Sequence, residues 1–111
     1  MKKILTYLFL IFAVCVSAQA QNVLRWAADA ESNAPYIFQN PKSPTQLMGF
    51  ELEIAEALAK ELGMTSKFVQ NQWDGLIPGL GRNDYDIAIN GLEITDDRKG
   101  EVLFSVPYYI T

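Results

Sequence analysis

The sequence predicts an α/β fold in which helices flank a mainly parallel sheet. Three segments, Val23 to Ala28, Thr65 to Gln70 and Asp86 to Asn90, are typical of strands, and an amphipathic helix is predicted between the first two. Strand–helix–strand order with short connections indicates βαβ units. Because ligands of such sheets bind beyond the carboxyl ends of the strands, residues that follow each strand are the first candidates for a site.

The clearest helix is predicted over Glu51 to Leu62. Its apolar side chains recur every four residues, and Gly63 stands where a C-terminal cap belongs. The spacing predicts a buried face made of Phe50, Ile54, Leu58 and Leu62, with Ala55 and Ala59 beside them. Glu51 and Glu53 diverge on a helix, so we interpret them as a solvated helix start rather than an acid–base pair.

The remaining segments predict shorter elements. Tyr36 to Phe38 is a short aromatic stretch, and the Pro-containing segment 39–46 predicts an exposed loop. Further along the chain we expect a short helix from Asp74 through Leu80, a helix N-capped by Thr95, and an extended segment from Val102 to Tyr109.

The first 20 residues are typical of an export signal. Two lysines precede an apolar run from Ile4 to Val16, and the small residues Ala18 and Ala20 form a cleavage pattern. This run is shorter than the roughly 20 residues that span a bilayer, which disfavours a transmembrane anchor. We therefore expect residues 1–20 to be a cleaved signal peptide.

Composition excludes several classes of function. The chain of 111 residues has a net charge of −4 and lacks the basic cluster that nucleic-acid binding requires. It contains no histidine and one cysteine, Cys15, which lies in the predicted signal. A His-dependent triad and a His- or Cys-ligated metal site are therefore excluded. We predict no metal, no cofactor and no nucleic-acid partner.

One segment, Asn90 to Arg98, combines several candidate ligand-binding groups. It follows a predicted buried strand and begins a helix, which places it at the carboxyl end of the sheet. The guanidinium of Arg98 beside unpaired N–H groups would bind a carboxylate. The alternative is a surface ion pair with one of the carboxylates of Asp96, Asp97 or Glu101. Glu93 is either a partner for a ligand ammonium or an exposed loop carboxylate.

Three further candidates lie on other predicted loops. Trp73 stands at a strand–helix junction, where its ring is either a ligand-stacking wall or part of the core. Asp29 follows the first strand and either reaches a ligand or caps the loop. Tyr36 either stacks on a ligand or fills the core. Their placement on loops after strands favours a shared site.

Four blocks in order resemble a known family. They are Gly49 to Leu62, Trp73 to Leu80, Tyr85 to Arg98 and Phe104 to Tyr109. Together they resemble family 3 of the bacterial extracellular solute-binding proteins, the periplasmic amino-acid receptors of ABC importers. The resemblance implies a periplasmic-binding-protein-like fold of two α/β lobes. Residues 21–111 would then be most of the first lobe, incomplete and without the second.

The resemblance also implies roles for individual residues. Arg98 matches the position that grips a ligand α-carboxylate, with Thr95 supporting that contact. Trp73 matches an aromatic wall against the ligand side chain. Asn90 and Gly91 match positions whose backbone contacts the ligand.

Two positions depart from the family pattern. Glu93 stands where many members carry a Ser or Thr that contacts the α-amino group, and a carboxylate there would either make that contact more strongly or favour a cationic ligand. The loop 30–35 lacks the usual aromatic residue, with Asn33 nearest in position, and Tyr36 is the candidate to replace it. Asp29 matches the acidic or polar residue that follows the first strand.

The resemblance implies ligand capture without catalysis. The chain would bind a polar or cationic amino acid in the periplasm for delivery to the membrane permease of an ABC importer. Two alternatives stay open: a periplasmic enzyme on the same scaffold, such as a cyclohexadienyl or prephenate-type dehydratase with Glu93 as its acid–base group, and the sensor lobe of a receptor or receptor–permease fusion. Without the contacts of a second lobe, we expect this chain to bind its ligand weakly.

Overall fold

The computed structural model describes residues 22–31 and 33–110. Within them the elements follow in the order β1 Val23–Ala28, β2 Phe38–Asn40, β3 Ser43–Met48, α1 Phe50–Glu61, β4 Thr65–Gln70, α2 Leu76–Gly81, β5 Ile87–Ala88 and α3 Asp96–Lys99. A 3-10 turn, Trp73–Gly75, leads into α2. The predicted signal peptide, residues 1–20, lies outside the described residues. Among the described helices, none is long and apolar enough to cross a membrane.

The parallel strands form a sheet in the order β4–β1–β5. Strand β1 pairs with β4 along its whole length, but with β5 only at Trp26 and Ala27. The predicted parallel sheet is therefore confirmed, while its third strand is shorter than the predicted 86–90. The reason is that Asn90 bonds the residue after β1 through its side chain and not through its backbone.

The core lies on both faces of β1. On one face Trp26 packs against Phe68, with ring centroids 5.0 Å apart, and its indole N–H donates to Ser66 Oγ at 2.9 Å. On the other face Ala27 packs with Leu76 and Tyr85. Helix α1 covers the first face, and α2 covers the second. The sheet is thus buried on both sides, as parallel sheets require.

Helix α1 buries only the alanine side of the predicted face, together with Glu51. Its buried side chains are those of Glu51, Ala55 and Ala59. Leu58, on the predicted face, is 38% exposed. The small alanines let the helix lie close to β1 and β4, whereas Ile54 and Leu58 line an open cavity beside β5. The interpretation of Glu51 as part of a solvated helix start is therefore wrong, whereas Glu53 is exposed as expected.

The segment predicted as an exposed loop, 39–46, is part of an antiparallel hairpin. Strands β2 and β3 pair there, with an irregular register between Gln39 and Asn40. Pro44 is tolerated in β3 because both strands of a two-stranded ribbon are edges. The hairpin side chains are mostly exposed, so their sequence pattern is polar like that of a loop.

The short helices follow the sequence more closely. The helix expected from Asp74 through Leu80 is present as a 3-10 turn that continues into α2. Thr95 caps α3, since its Oγ1 accepts a hydrogen bond from the backbone N–H of Arg98 at 3.3 Å. Residues 102–110 contain no helix or strand and carry the exposed apolar side chains of Leu103, Val106 and Ile110.

Arg25 and Asp86 join β1 to the chain entering β5. Arg25 Nη2 lies 2.9 Å from Asp86 Oδ1, and the backbone N–H of Arg25 donates to Asp86 Oδ2 at 2.8 Å. The hydrogen bonds from Arg25, side chain first, lower the pKa of Asp86 below its ordinary value of 3.8. A carboxylate with a lowered pKa stabilises the fold in its charged form.

We expect Asp86→Asn to lower the free energy of unfolding at neutral pH. This difference from wild type should disappear in acid. Because the folded pKa lies below the unfolded one, the stabilisation is complete above the unfolded pKa and is lost as the pH falls through the folded value. Urea midpoints of wild type and variant, measured between about pH 2 and 7, should converge at the acid end. Asp84→Asn, which removes the exposed pair with Arg82, is the control. A gap that stays constant down to the acid end would contradict the role of the pair.

Candidate functional site

The carboxyl ends of β1, β4 and β5 are joined by one hydrogen-bond network. The buried side chain of Asn90 accepts a hydrogen bond from the backbone N–H of Asp29 at 2.5 Å through Oδ1. Asp29 accepts one from Gln70 Nε2 at 3.1 Å and one from the backbone N–H of Trp73 at 3.3 Å. The polar residues after the three strands are therefore brought together, as the parallel topology predicts.

Asp29 uses both carboxylate oxygens within the protein. Oδ1 also accepts a hydrogen bond from the backbone N–H of Glu31 at 3.1 Å, and Oδ2 bonds to Trp73. These contacts favour the loop-capping alternative for Asp29. Its carboxylate holds the start of the 3-10 turn, and with it the Trp73 ring, at the edge of the sheet.

Arg98 lies over the ring of Trp73, with its guanidinium carbon 5.8 Å from the ring centroid. Its Nη1 is 2.7 Å from Glu93 Oε2 and 3.0 Å from the carbonyl oxygen of Glu93. The structure thus pairs Arg98 with Glu93, and not with the carboxylates considered from the sequence, Asp96, Asp97 and Glu101. Trp73 also packs beside the core cluster of Leu76, so its ring contributes to the core as well as contacting Arg98.

The ion pair between Arg98 and Glu93 is open to solvent on the Glu93 side. The side chain of Arg98 is 25% exposed, and that of Glu93 is 72% exposed. Hydrogen bonding to Arg98 lowers the pKa of Glu93, so this carboxyl group is charged at neutral pH. Within residues 22–31 and 33–110 the guanidinium donates only through Nη1, which leaves the N–H groups of Nη2 and Nε for a ligand.

Tyr36 and Gly91 pack against each other next to Asn90. A Cβ placed on Gly91 would lie 3.2 Å from the ring of Tyr36, so a larger residue would crowd this contact. The Tyr36 ring also packs against Phe50 and Tyr109, at centroid distances of 5.2 and 5.6 Å. Tyr36 is half-buried, so one part of its ring packs in this cluster while another part stays open to solvent.

The structure connects every candidate that the sequence singled out. Hydrogen bonds, ring contacts and chain adjacency link Asp29, Tyr36, Trp73, Asn90, Gly91, Glu93, Thr95 and Arg98. In chemical terms the site offers a guanidinium, an exposed carboxylate and an aromatic face. These groups suit a small zwitterion better than an apolar ligand.

Sequence reasoning missed two groups that contact this site, Glu51 and Tyr108. Glu51 Oε1 accepts hydrogen bonds from the backbone N–H of Gly91 at 2.5 Å and from the hydroxyl of Tyr108 at 2.6 Å. The spacing of Glu51 from Ala55 and Ala59 could have placed it on their face of the helix. No local pattern indicates that Tyr108 reaches Gly91.

A family model describes nearly the same range as the structure. The model for bacterial extracellular solute-binding proteins, family 3, matches residues 24–111. The chain belongs to this family. The resemblance that four sequence blocks indicated is therefore confirmed, together with the fold that it implied.

A curated family member shows how much of such a protein the chain represents. The arginine-binding periplasmic protein of Mannheimia haemolytica is 38% identical over 109 residues, which are 98% of this chain and 43% of that protein. The chain thus spans less than half the length of this curated relative and corresponds to the N-terminal part of a family member.

Two solved structures of the family share the fold. The ancestral amino acid-binding protein AncCDT-1, described as a precursor of cyclohexadienyl dehydratase, is 42% identical, with a TM-score of 0.74 over 79% of this chain and 37% of that chain. The arginine-bound form of domain 1 from TmArgBP is 34% identical, with a TM-score of 0.74 over 79% of this chain and 68% of that chain.

Proposed function

We propose that this chain is the first lobe of a periplasmic receptor that captures a polar or cationic amino acid, without a chemical step, for the permease of an ABC importer. The observation that carries this proposal is the guanidinium of Arg98, held over Trp73 at the carboxyl edge of the sheet. Membership of a family of solute-binding proteins supports capture. The names of an arginine-binding relative and an arginine-bound structure favour arginine as the first ligand to test.

Each part of an amino acid would have a partner among the candidate residues. The α-carboxylate bonds to the N–H groups of Arg98 that remain available, and charge-assisted bonds of this kind contribute roughly 1.5–3 kcal/mol each. The α-ammonium faces the exposed carboxylate of Glu93. The backbone N–H of Gly91 already donates to Glu51. The backbone carbonyl of Gly91 is therefore the group of loop 90–91 that would accept a hydrogen bond from the ligand ammonium. Trp73 covers the side chain of the ligand.

Calorimetric titration of the purified chain with five amino acids tests the proposal. We expect heats of binding for arginine and lysine, weaker ones for glutamine and histidine, and none for glutamate, whose second carboxylate adds negative charge to a site that already holds the ionised Glu93. The arginine-bound domain 1 of TmArgBP supports measurable binding by one lobe. Absence of heat with all five amino acids, in a chain shown to be folded by circular dichroism, would refute the proposal.

A dehydratase on the same scaffold is the second candidate, because AncCDT-1 is described as a precursor of such an enzyme. A dehydratase needs a proton donor whose pKa is near the working pH. Hydrogen bonding to Arg98 lowers the pKa of Glu93 and keeps it ionised, which favours capture over catalysis. Steady loss of prephenate above the buffer rate, abolished by Glu93→Gln, would instead support the enzyme.

Glu93→Gln is expected to reduce arginine affinity by roughly 5- to 20-fold, because a neutral amide bonds an ammonium less strongly than a carboxylate does. 5-Guanidinopentanoate lacks the α-amino group, and its affinity should change little in the same variant. Parallel titrations of both ligands with wild type and variant give the comparison. Equal losses for the two ligands would mean that Glu93 does not face the ammonium.

A further inference from the structure

A buried carboxylate lies directly behind the ligand-facing loop. Glu51, in the first turn of α1, has no exposed surface. Its Oε1 accepts hydrogen bonds from the backbone N–H of Gly91 at 2.5 Å and from the Tyr108 hydroxyl at 2.6 Å. The same N–H also approaches the Tyr108 hydroxyl at 3.3 Å. Two groups from other parts of the chain, the Gly91 N–H and the Tyr108 hydroxyl, therefore meet at one oxygen of Glu51.

The burial of the Glu51 carboxylate is energetically unfavourable. Burial raises its pKa, while the bonds from Tyr108 and Gly91 act in the opposite direction. Its second oxygen, Oε2, is buried and accepts no hydrogen bond from any described residue. A buried carboxylate with one unpaired oxygen costs free energy that an apolar side chain would avoid. The contribution of this side chain is the pair of hydrogen bonds that Oε1 accepts from Gly91 and Tyr108.

The backbone of Glu51 contacts the site as well. Its N–H donates to the carbonyl oxygen of Tyr36 at 3.0 Å. Tyr36 and Gly91 pack against each other, so one residue bonds to both members of this contact. Glu51 itself does not reach the open side of the site, because it is fully buried.

We propose that Glu51 is a positioning residue for the loop of residues 90–91. Its carboxylate orients the peptide between Asn90 and Gly91, and the Tyr108 hydroxyl holds that carboxylate in place. This inference rests on the proposed function, since it assumes that the loop contacts a ligand. The position of the Tyr108 hydroxyl, 17 residues beyond Gly91 in the sequence, then becomes a condition for the binding geometry of residues 90–91. The segment approaching the end of the chain is thereby coupled to the site.

Nuclear magnetic resonance and titration of the same variants test this coupling. Tyr108→Phe removes one hydroxyl and keeps the ring, and Glu51→Gln keeps the shape of the side chain while removing its charge. We expect both variants to move the amide resonance of Gly91, because its N–H bond weakens or turns. We also expect arginine affinity to fall by roughly 3- to 10-fold, as for one weakened hydrogen bond. Glu53→Gln, on the exposed side of the same helix, should change neither.

Each outcome decides one of the two proposals. An unmoved Gly91 resonance in both variants overturns the positioning role, even if arginine binds. A moved resonance with unchanged arginine affinity also overturns it, because the orientation of the loop would then not matter for the ligand. If wild type binds no amino acid, the proposed function fails, and the positioning of the loop is still decided by the Gly91 resonance in Tyr108→Phe. That single-hydroxyl variant keeps the test valid if Glu51→Gln does not fold.

Discussion

Arg98→Ala should weaken arginine binding by about 100-fold or more, beyond the range in which this lobe gives a measurable heat. Under the proposed function the guanidinium meets the full charge of the ligand carboxylate, and the Arg98 side chain is only 25% exposed. Two charge-assisted hydrogen bonds contribute roughly 3 kcal/mol or more, which corresponds to at least two orders of magnitude in affinity. Calorimetric titration with arginine measures the loss.

Two matched variants show whether the effect belongs to the site. Arg82→Ala removes the same charge from an exposed pair with Asp84, at the amino end of the sheet, and should leave affinity unchanged. Trp73→Ala removes contact area and a cation–π contact worth about 1–2 kcal/mol, so its loss should be smaller than that of Arg98→Ala. Equal affinities of wild type and Arg98→Ala would exclude Arg98 from the site.

Gly49→Ala should destabilise the fold by about 3 kcal/mol or more, a large part of the stability of so small a domain. Gly49 precedes α1 with φ of 121° and ψ of 158°, a region that is essentially restricted to glycine. A Cβ at this position would also overlap the carbonyl group of Tyr36, which is backbone and cannot rotate away. The added methyl group would push apart the contact between Tyr36 and the start of the helix.

Gly63→Ala separates these two causes. Gly63 also has a positive φ, of 66°, but a Cβ there would meet no atom within 4 Å. Its replacement should cost only about 1–2 kcal/mol, the ordinary penalty of left-handed backbone. Urea unfolding followed by tryptophan fluorescence compares the two variants. Equal losses would show that the approach of Tyr36 to Gly49 does not constrain the fold.

Local patterns were sufficient for the elements whose formation depends on neighbouring residues. Strands β1 and β4 have the predicted bounds, and Thr95 caps α3 as predicted. The proximity of the candidate site residues could also be predicted, because parallel strands bring the residues that follow them to one edge regardless of packing detail. Trp73 and Arg98 are close in the structure for this reason.

Other features depended on groups distant in sequence. The hairpin at 39–46 has the composition of a loop, and only the pairing of β2 with β3 makes it a ribbon. The partner of Arg98 was not predictable from spacing, since several carboxylates lie within its reach. The structure selects Glu93, whose Oε2 lies 2.7 Å from Arg98 Nη1.

Local sequence patterns predict the family, the parallel sheet and the edge of the sheet where the candidate site residues lie. These follow from periodicity, capping and motifs, which act over a few residues. Which side of α1 is buried, and with it the environment of Glu51, depends on tertiary packing. That choice depends on how closely Ala55 and Ala59 let the helix approach the sheet, and on Gly91 and Tyr108 meeting one carboxylate. Contacts of this kind arise from packing between distant segments, and no local pattern encodes them.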